Sequence, residues 1–203
     1  MFSRWVRTLL WIMCSMILQH IDVNDRGQPS NYRPISLTSI CCKIMEHIIY
    51  SSVLTHLENT NILSDEQHGF RKRRSCDTQL VLTIHDLAKA LGSGDQIDGI
   101  LLDFSKAFDK VPHNRLLMKL DHYGVRNNTL SWIQDFLSDR TQTVVLDGNS
   151  SSTNPVTSGV PQGAVLGPLL FLLYINDMPG YSRSQIRLIA DDCLMYRKVI
   201  FHF

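Results

Sequence analysis

Positions Ile40, Ile44, His47, Ile48 and Leu54 recur at helical spacing, and the pattern predicts a helix from Ser36 to about Leu57. Residues 22–34, ahead of it, are polar and rich in turn formers and predict a loop. Asn59 to Ser64 breaks the helix. Ser64-Asp65-Glu66-Gln67 then reads as a fresh helix start, with Ser64 as cap and Gln67 three residues on. The basic residues Arg71 to Arg74 follow on a loop or short turn. Leu80, Ile84, Leu87, Ala88 and Leu91 mark the apolar face of a second helix over 78–91.

Beyond the Gly92-Ser93-Gly94-Asp95 break the periodicity changes. Gly99-Ile100-Leu101-Leu102-Asp103-Phe104 reads as a short buried strand ending in an aspartate. Leu116, Leu117, Leu120 and Tyr123 mark a helix closed by Gly124, and residues 130–137 predict another. Residues 142–146 are strand-like, with Asp147-Gly148 as a hairpin signal. Residues 157–168 form a loop punctuated by Gly and Pro, and 169–175 an apolar helix. Residues 186–190 and 193–198 predict two strands with Asp191-Asp192 at the turn between them. This alternation argues for helices packed on a sheet, an α+β domain with α/β-type layers.

Composition narrows the picture modestly. With 203 residues, 44% hydrophobic, the chain can bury one sizeable core. A net charge of +1 does not mark a dedicated nucleic-acid binder, although Arg71-Lys72-Arg73-Arg74 is strongly basic. Five cysteines (Cys14, Cys41, Cys42, Cys76, Cys193) without C-x-x-C spacing argue against a disulfide framework or a zinc site. They fit a reducing compartment, the cytoplasm or nucleus. Arg4 and Arg7 precede an apolar run over 9–18, shorter than the roughly 20 residues of a membrane span. That run reads as an amphipathic or buried helix, or as a start inside a longer frame; a short secretory signal is the other reading.

Three aspartates, Asp103, Asp191 and Asp192, stand where strands end. Buried together they would repel each other unless a divalent cation sat among them. Magnesium takes hard oxygen ligands and commonly shares them with substrate phosphates. Two ions roughly 4 Å apart can activate a hydroxyl and stabilise a leaving oxygen. An Asp-Asp pair is equally at home in a tight turn, and Asp103 alone can be a strand-end cap. On spacing alone the turn reading leads. Neither a G-x-S-x-G elbow nor a P-loop occurs.

Longer motifs carry more. The chain holds N-Y-R-P-I-S-L at 31–37, G-F-R-K-R-R-S at 69–75 and L-D-F-S-K-A-F-D-K-V at 102–111. It continues with G-V-P-Q-G-A-V-L-G-P-L-L-F at 159–171, Y-I-N-D-M at 174–178 and I-A-D-D at 189–192. In this order they resemble the reverse transcriptase domain of non-LTR (LINE-type) retrotransposons, over about 31–196. The resemblance implies a right-hand polymerase with helices on a small antiparallel palm sheet, fingers over about 31–98 and palm over about 99–203. Residues 1–30 fall outside the match. It implies RNA-directed DNA polymerase activity with Asp103, Asp191 and Asp192 as catalytic residues and ligands of two Mg²⁺ ions, Mn²⁺ being an alternative. Phe108 corresponds to the residue that screens the sugar 2′ position, with Phe104 in the same nucleotide-binding segment. Gln162 and Gly163 fall in the loop touching the incoming nucleotide and template. Arg71 or Arg74 resembles the residue that meets the triphosphate, for which a guanidinium fork is suited. Arg33, Lys72 and Arg73 would contact template or primer. The implied partners are an RNA template, a DNA primer and deoxynucleoside triphosphates, with no stable protein partner and no membrane span.

Physical readings stand beside these. Phe108 can equally be core, and the four-residue basic run a solvated face. Gly159, Gly163 and Gly167 permit close backbone approach to a substrate, or simply make turns. Three departures qualify the resemblance: Ile189 replaces the aromatic residue usual before A-D-D, the N-terminal lead-in is apolar, and Phe203 follows soon after the aspartate pair. The expectation is therefore a truncated or degenerate copy, or a partial gene, without a thumb. A catalytically silent fragment and a group II intron-type reverse transcriptase are the competing readings.

Overall fold

The computed structural model describes residues 14–20 and 32–199. Two strands open it: β1 (Cys14–His20) and β2 (Tyr32–Leu37). Helices α1 (Ile40–Asn59) and α2 (Cys76–Gly92) follow. Strand β3 (Gln96–Asp103) leads into α3 (His113–His122) and α4 (Asn127–Leu137). Three strands come next, β4 (Thr141–Leu146), β5 (Asn149–Ser150) and β6 (Asn154–Pro155), then α5 (Gly167–Ile175). The hairpin of β7 (Gln185–Ile189) and β8 (Asp192–Val199) closes the described chain.

One sheet runs β2-β1-β4-β5, with β6 also on β4; β1 is antiparallel to β2 and parallel to β4. The other is antiparallel, in the order β3-β8-β7. The main core gathers Leu57 of α1, Leu116 and Leu120 of α3, Ile133 and Leu137 of α4, and Leu170 of α5. Helix α5 buries Gly167 and Leu169 to Leu173, as a helix apolar all round must. Mixed helix and small antiparallel sheet is thus the observed class.

Sequence periodicity located α3, α4 and α5 well. Gly124 ends the α3 turn at φ +82°, and Asp147 (φ +49°) and Gly148 (φ +80°) make the β4–β5 hairpin with positive φ at both central positions. Four expectations fail. Residues 14–18 are strand rather than helix, the rest of that apolar run lying outside the described residues. The loop over 22–34 gives way to β2 at Tyr32, because β2 pairs along its length with β1; residues 22–31 lie outside the described residues. Helix α1 consequently starts at Ile40, where the Ser39 side chain accepts the Cys42 N–H at 3.2 Å, not at Ser36. No helix begins at Ser64, because its hydroxyl bonds the Glu66 carboxylate and the backbone at 66–68 pairs with β7 instead.

The apolar faces were also misassigned. Ile40, Ile44 and Ile48 point to solvent, while α1 buries Cys42, Glu46, Val53 and Leu57. Both stripes have helical spacing, so periodicity alone does not choose between them. In α2, Leu80, Ile84 and Leu91 are outward and Gln79, Thr83 and Ala90 inward. Strand β3 is an edge strand and largely exposed, Leu101 at 83%, not buried as its run of apolar residues suggested.

Candidate active site

The β7–β8 hairpin turns through Ala190 and Asp191. Ile189 pairs with Asp192, so Asp192 is the first residue of β8 and not a turn residue as expected. Ala190 has φ +52°, positive at the first central position only, the pattern of a type II′ turn. On its other side Asp192 pairs with Asp103, the last residue of β3. Residues directly opposite in an antiparallel pair share a face, with Cβ atoms roughly 4.5–5.5 Å apart. The topology therefore brings Asp103 and Asp192 side by side at one end of the sheet, with Asp191 in the turn above.

These aspartates are not buried, contrary to what their apolar neighbours suggest: Asp103 and Asp192 are exposed and Asp191 half-buried. Strand alternation resolves the conflict. Leu188 and Cys193 point to the opposite face, where they pack with Ile186 against Phe104, Ile175 and Met178, and burial pushes the Cys193 thiol up. The far end of the aspartate face is covered by α2. There Asp86 accepts hydrogen bonds from Arg187 at 2.6 Å and the Tyr196 hydroxyl at 2.5 Å. Burial raises the Asp86 carboxyl, but these two donors outweigh it and hold it below the usual carboxylate range.

Phe108 is half-buried. Its ring stacks on Phe171 at 4.3 Å and meets Phe70 edge-on at 6.3 Å. Because Phe70 immediately precedes Arg71, the basic segment begins beside Phe108. The loop carrying Gln162 runs along the same element: Val160 N–H donates to the Phe108 carbonyl and Gly159 N–H to the Val111 carbonyl, both at 2.8 Å. Gln162 then accepts the Ser36 N–H at 2.7 Å through its backbone carbonyl. With Ser36, Lys106, Asp109 and Arg140 it lines a groove of about 310 Å³. Burial raises the Asp109 carboxyl there, opposed by the Lys106 charge.

The loop glycines approach the protein's own backbone. A Cβ on Gly159 would lie 2.7 Å from the Asp109 carbonyl oxygen, and one on Gly167 2.2 Å from that of Pro161. One on Gly163 would meet Ile35 Cγ2 at 3.0 Å and the Ser36 carbonyl oxygen at 3.1 Å. Similarly, both arginines of the basic segment have protein partners. Arg71 donates to the Ser64 carbonyl, and Arg74 pairs with the Asp65 carboxylate at 2.5 Å and reaches His68 Nε2 at 3.3 Å. Burial and the Arg74 charge together lower the Arg71 guanidinium below its ordinary value. Lys72 and Arg73 are exposed; Arg33 lies in β2, its side chain outside the described residues.

Among the described residues no three His, Cys, Asp or Glu side chains are grouped closely enough to hold a metal ion by themselves. The donor chemistry at the hairpin still suits a hard cation: oxygen ligands only, open to solvent, with room for water and phosphate oxygens to complete the shell. Among the described residues no helix is long and apolar enough to cross a membrane.

Sequence reading missed the residues that hold this site together. Glu46, fully buried on α1, accepts the Leu166 N–H at 3.0 Å at the start of α5. Asn176 joins the 62–64 segment to the end of α5, donating to the Ile62 carbonyl and accepting the Ser64 N–H, both at 2.8 Å. Gln67 bonds the backbone of Ala190. Their partners are backbone atoms distant in sequence, for which side-chain patterns carry no signal.

Comparison with known proteins follows the same lines. A family model described as reverse transcriptase (RNA-dependent DNA polymerase) matches residues 23–199. The RNA-directed DNA polymerase from mobile element jockey of Drosophila melanogaster is 34% identical over 172 residues, covering 85% of this chain and 19% of its own length. The probable RNA-directed DNA polymerase from transposon X-element of the same species is 31% identical over 199 residues, covering 92% and 21%. The chain thus spans about a fifth of the length of these relatives. Among solved structures, telomerase from Candida tropicalis in complex with a TWJ fragment of telomeric RNA superposes with a TM-score of 0.62 at 12% identity, over 92% of this chain and 36% of that one. At that identity the likeness speaks for a shared polymerase fold.

Proposed function

Because the chain belongs to the reverse transcriptase (RNA-dependent DNA polymerase) family, we propose that it carries the nucleotidyl-transfer site of an RNA-directed DNA polymerase from a non-LTR retrotransposon. The observation that carries this reading is the pairing of Asp103 with Asp192 at one sheet end, with Asp191 in the adjoining turn. Fingers extend over about 31–98 and palm over about 99–203. The substrates are a DNA primer annealed to an RNA template and a deoxynucleoside triphosphate, and the work is done in the cytoplasm or nucleus.

In the reaction the primer 3′-hydroxyl gives its proton to water and its oxygen bonds to the α-phosphorus as the bond to pyrophosphate breaks. Asp103, Asp191 and Asp192 would hold two magnesium ions, which would supply positive charge that eases loss of the 3′ proton and departure of pyrophosphate. The carboxylates orient the reacting groups along the open face of the sheet. Phe108, backed by Phe171 so that it cannot retreat, presents its ring to the sugar and excludes a 2′-hydroxyl by bulk. Gln162 and Gly163 line the path of template and nucleotide. Arg71 or Arg74 would exchange its present carbonyl or carboxylate partner for phosphate oxygens, a favourable exchange for a bidentate donor.

Primer extension on an RNA template with Mg²⁺ tests the assignment. Asp103→Asn and Asp191→Asn should each abolish extension, and Phe108→Ala should admit ribonucleotides. Extension unchanged by either aspartate substitution refutes it. A second reading, a fragment that binds nucleic acid without catalysis, is favoured by the internal pairing of Arg71 and Arg74. Template binding with no aspartate-dependent extension would select that one.

A further inference from the structure

Gln67 is 3% exposed, and its carboxamide is spent on the backbone of two residues, Ala190 and Gly69. Oε1 accepts the Ala190 N–H at 3.0 Å and the Gly69 N–H at 2.6 Å, while Nε2 donates to the Ala190 carbonyl at 3.2 Å. Both backbone polar groups of Ala190 are therefore satisfied by a side chain 123 residues away. Ala190 is the residue with positive φ that opens the turn before Asp191 and Asp192. A non-glycine residue keeps that conformation only where its surroundings over-determine it.

The surroundings of Gln67 are themselves fixed. Leu188 N–H donates to the Glu66 carbonyl at 2.9 Å, and His68 N–H donates to the Leu188 carbonyl at 2.8 Å. Residues 66–68 thereby lie along β7 as an added edge. Gly69 completes the fit: a Cβ there would lie 2.2 Å from the Ala190 nitrogen and 2.9 Å from its Cα. The carboxamide reaches the turn because nothing larger than hydrogen stands at 69.

We infer that Gln67 is a positioning residue for the catalytic carboxylates: its clamp on the Ala190 peptide sets the direction in which Asp191 and Asp192 project, and Gly69 keeps the clamp closed. The role in catalysis rests on the two-metal reading above. Since residues 71–74 follow directly, the same clamp ties the basic segment to the aspartate turn.

Two measurements on the 203-residue chain test it: amide hydrogen exchange across 186–196, and Mn²⁺ affinity by electron paramagnetic resonance. Gln67→Leu removes donor and acceptor. It should speed exchange of the Ala190 to Asp192 amides by about tenfold or more, while α5 amides exchange as before. Mn²⁺ affinity should fall by a similar factor. Gln67→Glu keeps the acceptor for the Ala190 and Gly69 N–H groups but sets a second acceptor against the Ala190 carbonyl, so it should not restore the protection. Should Gln67→Leu loosen α5 as well, Gly69→Ala decides, because its Cβ, 2.2 Å from the Ala190 nitrogen, opens the clamp with the carboxamide intact: a rise in exchange at Ala190 to Asp192 larger than that in α5 supports the clamp, and an equal or smaller rise overturns it. Unchanged exchange and affinity in Gln67→Leu overturn it too. Failure of the unsubstituted chain to bind Mn²⁺ would refute the metal reading instead, and the exchange data would still decide the clamp.

Discussion

Alanine at Gly159 separates two costs that are usually confounded. Gly159 has φ +90°, and Gly148 has φ +80°. Placing a Cβ on either incurs the left-handed penalty of roughly 1–2 kcal/mol. At Gly148 nothing lies within 4 Å of the added atom, so that penalty is the whole effect. At Gly159 the Cβ would fall 2.7, 2.8 and 2.9 Å from the carbonyl oxygen, Cα and carbonyl carbon of Asp109. All three are backbone atoms and none can swing aside. Overpacking of this kind adds about 1–3 kcal/mol.

At roughly 2–4 °C per kcal/mol for a chain of this size, the two alanine variants should differ in Tm by about 2–12 °C, Gly159→Ala being the lower. Thermal unfolding followed by far-UV circular dichroism, at one pH and protein concentration, reads the difference. Equal Tm values would refute the reasoning. The relief available to Gly159→Ala is movement of the loop, which strains the Val160–Phe108 and Gly159–Val111 hydrogen bonds. Phe108 and Gln162 would shift with it, so any remaining primer extension should discriminate less well against ribonucleotides.

Leu170→Ala in the main core should lower stability by about 2–5 kcal/mol in urea unfolding, with an unchanged denaturant slope. Glu46→Leu leaves the Leu166 N–H without its buried acceptor and should cost about 1–3 kcal/mol, whereas Glu46→Gln keeps an acceptor and should cost less in the same assay. Acid sensitivity should appear in two steps. Burial and then the Arg74 charge depress His68 below its ordinary 6.5, so its contribution is complete above 6.5 and is lost as pH falls through the depressed value; His68→Asn removes this step. Asp86 is likewise held below 3.8, so its contribution is present above 3.8 and lost at lower pH, and Asp86→Asn should abolish that second limb of a stability–pH curve. Without divalent cations Asp192→Asn should leave stability unchanged or raise it by no more than about 1 kcal/mol, since it removes a like charge opposite Asp103; a clear loss of stability would contradict that pairing.

Short motifs made the family legible before any coordinates, because they keep particular functional groups in a particular order. Asp103, Asp191 and Asp192 fall at one end of a sheet, and Phe108 lies beside the loop that carries Gln162. Burial was far less legible. Helix α1 carries two apolar stripes, and only tertiary contact shows that Val53 and Leu57 are inside while Ile44 is out. Helix α2 turns Gln79, Thr83 and Asp86 inward because Arg187 and Tyr196 satisfy a carboxylate there, a partnership set by β7 and β8. Strand β3 reads as buried because it is apolar on both faces, yet it lies at a sheet edge, which depends on strand order rather than composition.

The same distinction explains why conspicuous motif residues and site-building residues differ. Four points beyond residue 160 are held by polar groups from residues 36–69: Gln162 by Ser36, the start of α5 by Glu46, Asn176 by the backbone of Ile62 and Ser64, and Ala190 by Gln67. At Gln162, Leu166 and Ala190 the group held is backbone. A backbone hydrogen bond fixes where the chain passes whatever side chain that position carries. The carboxylates, ring and amide displayed beside it remain free to serve chemistry, and the holding group adds its own steric demand nearby, as Gly69 shows beside Gln67. A motif such as Q-H-G-F therefore encodes geometry for an aspartate turn 123 residues away, and its mutational profile should follow that turn more closely than the core.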